Sequence, residues 1–353
     1  MGARETSRRR RPRGTARLLG WCPTTFGFEG QALSRGTMVT SGWPAWHHGR
    51  CGRACSTDSR TRVEAAIHRR RPDRIPCAEL VVDDVVVASL LGTQTVDFED
   101  RFRLASLLGL DAVCLQPRLS QSAGCELPRG EDVDWPDLRR WVREGDRFVF
   151  AMLDGAFGWG SRLAGLEAFL LTAERNALET VKLVRQVETL NLELIQRAAA
   201  SGAMGIVIAD DFAYQQGLAL SPGYLRSLFF PSIAQQVEEA HDAGLPVFLH
   251  CDGNINAVLY DLAQLGLDGL QAIESAAGMD LANVKRQCGE RLCLWGNLDP
   301  RLLLRPQAPE QLRQAVKAIT SVAEPEGGLI FGTSSGLFAG MSADSIRALY
   351  PLA

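Results

Sequence analysis

The chain has 353 residues, room for one large α/β domain and an extension. Hydrophobic residues make up 46% and charged residues 22%, and the formal net charge of -3 argues against a nucleic-acid or membrane-surface binder. No run reaches the roughly 18–20 uncharged apolar residues of a membrane helix, and nine scattered cysteines without a CxxC pair point to reduced thiols in a cytoplasmic protein.

Residues 1–60 stand apart from the rest. Arg8 to Arg11 are consecutive arginines, Arg4, Arg13 and Arg17 add to them, and acidic residues are nearly absent before Asp58. Arg-rich, acid-poor composition fits a transit peptide or an RNA-binding arm. The favoured readings are disorder, or a start assigned too far upstream with Met38 or a later residue as the true beginning. No signal-peptide core is visible.

From Thr61 onward short apolar runs alternate with amphipathic stretches. Arg62 to Arg71 reads as a helix stopped by the Pro72-Asp73-Arg74 turn, and Ile75 to Val82 as the first strand. Asp100 to Leu108 is a helix, Ala112 to Gln116 a strand, and Phe148 to Leu153 a third strand running into the Gly-rich stretch Asp154 to Gly160. Leu166 to Ser201 is helical with interruptions, its apolar positions including Leu178, Val181, Leu183 and Val184. Gly205 to Ala209 is a strand that ends in Asp210 and Asp211. Ser221-Pro222 opens a helix, with Ser as N-cap and Pro in the first turn. The remaining strands lie in PVFLHCDGNIN (Pro246 to Asn256), GLQAIES (Gly269 to Ser275), LCLWGNLDP (Leu292 to Pro300) and GGLIFGTSSG (Gly327 to Gly336). The helices between them are Asn256 to Leu265, Asp280 to Cys288 and Pro309 to Val322.

This pattern predicts a parallel sheet with right-handed crossovers. With polar residues at the strand ends, it favours a single-domain (β/α)8 TIM barrel, residues 61–353, over an open sheet. An open sheet should carry a phosphate fingerprint, and neither GxGxxG nor GxxxxGK[ST] occurs.

In a barrel the strand ends converge on one mouth. Side chains alternate along a strand, so His250 and Asp252 share a face, Cys251 points the other way as an inert thiol, and Asp210 and Asp211 cannot both face the mouth. A His-x-Asp pair can bind a divalent metal or act as an acid/base pair, so His250 and Asp252 are candidate metal ligands, for zinc or another divalent ion. Glu274 offers a third ligand or a partner for a cationic substrate group. Asp210, Asp211, His250, Asp252 and Glu274 are the candidate catalytic residues. Asp154, Asn254, Asn297, Ser334 and Ser335 are the candidate substrate-binding residues. The stretch Gly332 to Gly340 reads as a flexible closing loop whose hydroxyls and N–H groups suit an anion.

The ordered set RPDRIP, ADDFAYQQGLALSP, VFLHCDGNI, IESAAGMDLANVK, WGNLDP and GGLIFGTSSG resembles the uroporphyrinogen decarboxylase superfamily, from Thr61 to the C-terminus. That superfamily includes zinc-dependent methyltransferases working with corrinoid proteins or cobamides. The resemblance implies the (β/α)8 fold. The chain departs from both branches. The decarboxylases carry an RQAGR-like anion-binding motif after the first strand, where this chain reads IPCAELVVDD without arginine. They also carry a histidine in an NLGHG-like loop, where this chain has Phe331 to Gly336 without one. The methyltransferases carry a His-x-Cys zinc motif and a distant Cys, where this chain has His250 with Asp252 and then Thr333 to Ser335. A thiolate-rich zinc site is therefore absent and an oxygen-rich one is expected.

Two enzymatic readings follow. In one, a methyltransferase moves a methyl group from a small methylated substrate to a corrinoid held on a separate protein. In the other, a cofactor-free decarboxylase of porphyrin biosynthesis stabilises a pyrrole-like cation with its aspartates, and missing arginines count against it. A non-catalytic binding barrel is the third, outside the enzymes. No nucleic-acid or membrane partner is expected, and a homodimer is left open.

Overall fold

The computed structural model describes residues 57–119, 126–175, 177–306, 308–323 and 326–352. The chain divides into two units, Met1–Ser56 and Thr57–Ala353. The first unit, with nearly all of the expected 1–60 extension, lies outside the described residues. The second opens with a helix at Ser59–Ile67, capped by Asp58 accepting the Thr61 N–H at 2.8 Å. That start lies just ahead of the predicted boundary.

Eight parallel strands form one sheet: β1 (Ala78–Glu79), β2 (Ala112–Leu115), β3 (Phe148–Asp154), β4 (Gly205–Ala209), β5 (Val247–Cys251), β6 (Gly269–Ala272), β7 (Cys293–Leu298) and β8 (Leu329–Thr333). Their order in the sheet is their order in the chain. The sheet closes on itself where Phe331 N–H donates to Pro76 O at 2.8 Å and Leu337 N–H to Val81 O at 2.8 Å. This is the predicted (β/α)8 barrel, and every predicted strand is present. Four α-helices among the described residues were missed: Asp84–Leu91, Leu138–Glu144, Ala156–Ala164 and Ala343–Leu349. Asp84–Leu91 is rich in valine, which masks a helix as a strand. The predicted Gly-rich stretch after β3 is in fact a helix, Ala156–Ala164, in which Gly160 answers a crowded neighbour rather than a turn. A Cβ on Gly160 would lie 2.3 Å from the Phe169 ring.

The helix Ala177–Ala200 buries Val184, Val187, Leu194, Ile195 and Ala198 at the three-to-four spacing of one helical face. Leu178 and Val181, expected on that face, are exposed at 64% and 37%. No helix among the described residues is long and apolar enough to cross a membrane.

The barrel interior is an aromatic plug. Phe150, Phe248 and Trp295 come from β3, β5 and β7, with ring centroids 5.3 to 6.0 Å apart. Alternate strands supply the bulk, as barrel layering requires, and the intervening strands make room with glycine. A Cβ on Gly205 would sit 2.7 Å from Phe150, and one on Gly269 would sit 2.1 Å from Phe248. Below the plug, RPDRIP is structural. The fully buried Asp111 takes Arg62 at 2.6 Å and Arg74 at 2.7 Å, and Arg62 also holds Asp73 at 2.7 Å.

The β1–β8 seam carries a second polar lock. Glu79, 2% exposed, is hydrogen-bonded by the Thr333 hydroxyl, the Thr333 N–H and the Tyr350 hydroxyl. Burial pushes its carboxyl up from 4.5 to about 7, the hydrogen bonds pulling the other way. The native state therefore keeps a proton that the unfolded chain releases above 4.5. The neutral form's stability contribution is fully present below that pH and is lost as pH rises through about 7. Relative to Glu79→Gln, the wild-type unfolding free energy should fall across this window by about 3 kcal/mol at most, as chemical denaturation at a series of pH values would measure. A difference that stays flat with pH would contradict the assignment.

Candidate active site

The mouth is built by the strand period. On β5, Phe248 faces the plug, so His250 and Asp252 follow on the same face. On β4 that face runs from Gly205 through Val207 and Ala209 to Asp211. On β6 it runs from Gly269 to Gln271, whose register partner on β5 is His250. Asp211, His250 and Asp252 thereby converge, one ligand atom from each lying within 4.8 Å of the others. His250 Nε2 is 3.5 Å from Asp211 Oδ1, and the same oxygen accepts the Asp252 N–H at 2.8 Å. His250 is fully buried, whereas Asp211 keeps 22% of its side chain exposed at the mouth.

Burial dominates the electrostatics. It lowers the His250 pKa against the pull of Asp211. It raises the Asp211 carboxyl, which His250 opposes. It raises Asp252 well above the carboxylate range, with Asp211 and Glu274 adding like-charge repulsion and Ser335 opposing through a hydrogen bond. Asp252 Oδ1 is buried without a hydrogen-bond partner. A neutral imidazole, two carboxylates and an orphaned buried oxygen form a donor set that fits a divalent cation of oxygen and nitrogen preference. Asp211, His250 and Asp252 would hold it. Sequence reasoning named His250 and Asp252 as ligands and placed Asp211 among the catalytic residues. The alternation rule that excluded one of the two aspartates is satisfied by Asp210 facing outward.

Asp210 does different work. It is 1% exposed and accepts the Gly158 N–H at 2.9 Å, as well as a hydrogen bond from the Phe157 backbone. These donors belong to the first turn of the helix Ala156–Ala164, so the carboxylate caps a helix from a neighbouring strand. Burial still pushes its carboxyl up to about 7. Cys251, as expected, faces away, is 2% exposed, and burial raises its thiol pKa well above the ordinary range.

Most candidate substrate-binding residues are engaged within the protein. Asp154 pairs with Arg162 at 2.8 Å, and that guanidinium stacks 4.5 Å above the Trp159 ring. Asn254 Oδ1 accepts the Asn256 N–H at 3.1 Å, shaping the turn after β5. Asn297 Nδ2 donates to Ile273 O at 3.0 Å. That bond steadies a costly turn, since Ala272 and Ile273 have φ of +88° and +51°. The turn delivers Glu274 to the Gly253 N–H at 2.9 Å, close to Asp252. Ser335 bonds Asp252, and Ser334 lies 3.4 Å from it, hydroxyl to hydroxyl. The segment after β8 is not loose. Gly336 N–H donates to Thr333 Oγ1 at 2.7 Å and Asp83 N–H to Leu337 O at 3.0 Å.

The residue that sequence reasoning missed is Gln271. It is 1% exposed, its Oε1 meets His250 Nδ1, and its Nε2 donates to Ser334 O at 3.0 Å. The signal was present: a polar residue inside an apolar strand, on the face set by Gly269.

A model of the family described as uroporphyrinogen decarboxylase matches residues 147–353, which include every residue of this cluster. Among curated relatives, the uroporphyrinogen decarboxylase of Magnetococcus marinus is 28% identical over 158 residues, 42% of this chain and 40% of that protein. That of Xanthomonas axonopodis pv. citri is 34% identical over 154 residues, again 42% and 40%. The chain thus spans less than half the length of these relatives. Among solved structures, a methyltransferase from Methanosarcina mazei superposes with a TM-score of 0.67 at 18% identity, covering 84% of this chain and 98% of that one. A B12-independent methionine synthase from Shewanella sp. W3-18-1 gives 0.51 at 11% identity, covering 79% and 97%. At these identities the structural likeness is one of fold.

The packing of Asp210 can be tested alone. A Cβ on Gly155 would lie 2.2 Å from Asp210 Cγ. Gly155→Ala should therefore push the carboxylate off its helix and cost about 1–3 kcal/mol of stability, read by denaturant unfolding. An unchanged midpoint would contradict this placement.

Proposed function

The chain belongs to the uroporphyrinogen decarboxylase family, and from that premise we propose that it is a methyltransferase-like member. It takes a methyl group from a small methylated substrate and passes it to the cobalt of a corrinoid carried on a separate protein or as a free cobamide. The observation that carries this reading is the Asp211–His250–Asp252 cluster. A cofactor-free decarboxylase has no need of a neutral histidine facing two carboxylates with an orphaned buried oxygen.

A divalent metal held there supplies a Lewis acid for the heteroatom that bears the methyl group. The chain's own residues do the rest. Gln271 holds the His250 ring through Nδ1 and leaves Nε2 facing Asp211. Ser335 and the Asp252 N–H contact to Asp211 fix the carboxylates. Glu274, beside Asp252, receives a positively charged substrate group. The reaction balances as a methyl cation moving from heteroatom to cobalt(I), with a proton replacing it on the heteroatom. The protein acts as a cytoplasmic enzyme in this reading.

The decarboxylase reading draws support from the names of the curated relatives. Against it stands the supply of cations for a polycarboxylate. Arg162 is paired with Asp154, and Arg301 with Asp299 at 2.7 Å.

The test is an absorbance assay for methylcobalamin formed from cob(I)alamin and a panel of methylated amines, thiols and alcohols, with zinc or manganese supplied. Activity should require the metal, and His250→Ala or Asp211→Asn should lower kcat/KM by at least about 10²-fold. Carbon dioxide release from uroporphyrinogen, with no methylation of cobalamin by any donor, would overturn the proposal in favour of the decarboxylase.

A further inference from the structure

We infer that Gln271 is a positioning residue that fixes the tautomer and the orientation of His250, and that it ties both to the segment after β8. The inference rests on the metal-site reading of the cluster but is separable from it.

The argument begins with the amide. Gln271 Nε2 lies 3.0 Å from Ser334 O and 3.4 Å from Thr333 O. Carbonyl oxygens only accept, so this end of the amide must be the NH2 group. The other end is then the oxygen, and it meets His250 Nδ1. An amide oxygen also only accepts, so Nδ1 must carry hydrogen. In a neutral imidazole that leaves Nε2 with its lone pair, directed at the Asp211 side of the cluster, 3.5 Å from Oδ1. The histidine is thus set as a donor of electrons to a cation at Nε2 before any cation arrives. This is the arrangement by which a partner on one ring nitrogen orients the other for ligation.

No other side chain of this size does both jobs. Glutamate would accept from Nδ1–H but would set a second acceptor against the carbonyls of Thr333 and Ser334. Methionine or leucine would fill the volume and bond neither. The position is also mechanically coupled. Thr333 bonds Glu79 across the β1–β8 seam, so the carbonyls that orient Gln271 are held by the barrel closure. Asn297 and the strained turn at Ala272 and Ile273 hold the far end of β6. His250 geometry therefore depends on three strands, β5, β6 and β8, and not on β5 alone.

The test uses the full chain labelled with [15N]histidine, stripped of metal with EDTA and studied by long-range 15N–1H correlation near neutral pH. Wild-type His250, identified by its absence in His250→Ala, should show a protonated Nδ1 and an unprotonated Nε2. In Gln271→Leu the ring should shift toward the Nε2–H form or a mixture, and in Gln271→Glu the Nδ1–H form should persist. Gln271→Met serves where the leucine variant does not fold, folding being checked by circular dichroism. Zinc affinity by chelator competition should then fall about 10- to 100-fold in Gln271→Leu or Gln271→Met and less in Gln271→Glu. A wild-type ring protonated at Nε2, or a tautomer and zinc affinity unchanged by the apolar variants, would overturn the inference. Absence of zinc binding in wild type would sink the metal reading, while the tautomer spectra would still decide the role of Gln271.

Discussion

Two carboxylates and the lone pair of a neutral imidazole packed together at the mouth of a barrel repel unless something positive, a proton or a metal ion, lies among them. Desolvation raises both Asp211 and Asp252 and lowers His250, so every group in the cluster is pushed away from its own charge. Such an arrangement is costly to fold around, and that cost is the ground for proposing a cation as part of its work. The rest of the mouth follows from it. Gln271 turns the ring, Ser335 and the backbone of Asp252 restrain the carboxylates, and Glu274 is held one strand away by a strained turn.

The barrel makes this convergence cheap in sequence terms. Because side chains alternate, one residue per strand at the level of the aromatic plug, a glycine or a ring, sets the face on which the polar residues must appear. Gly205 leads to Asp211, Phe248 leads to His250 and Asp252, and Gly269 leads to Gln271. The outward residues between them serve structure. Asp210 caps a helix, Cys251 packs as a thiol, and Thr333 joins Glu79 at the seam. The polar residues of the mouth cluster and the structural polar residues are thus interleaved along the same strands, distinguished only by parity.

That parity explains what could be read in advance. The strands β1 to β8 were legible because each is a short apolar run ended by polar or turn residues, and the fold followed from their number and alternation. His250 and Asp252 were legible because they share a strand. Asp211 was legible only as one of a pair, since choosing between it and Asp210 needs the register to the plug. Gln271 was visible only as a polar residue inside an apolar strand, since its importance lies in two contacts across strands, to His250 and to the carbonyls after β8. The helix Ala156–Ala164 was hidden because Gly155, Gly158 and Gly160 read as a loop, whereas crowding by Asp210 and Phe169 requires the glycines at 155 and 160.

The account stands most directly on whether the cluster holds a cation. The decisive measurement is the metal content of purified protein equilibrated with zinc or manganese and then desalted, for wild type and Asp252→Asn. The account predicts about one divalent ion per wild-type chain and its loss in the variant. Wild-type protein that retains no ion, or a variant that retains as much, would contradict it.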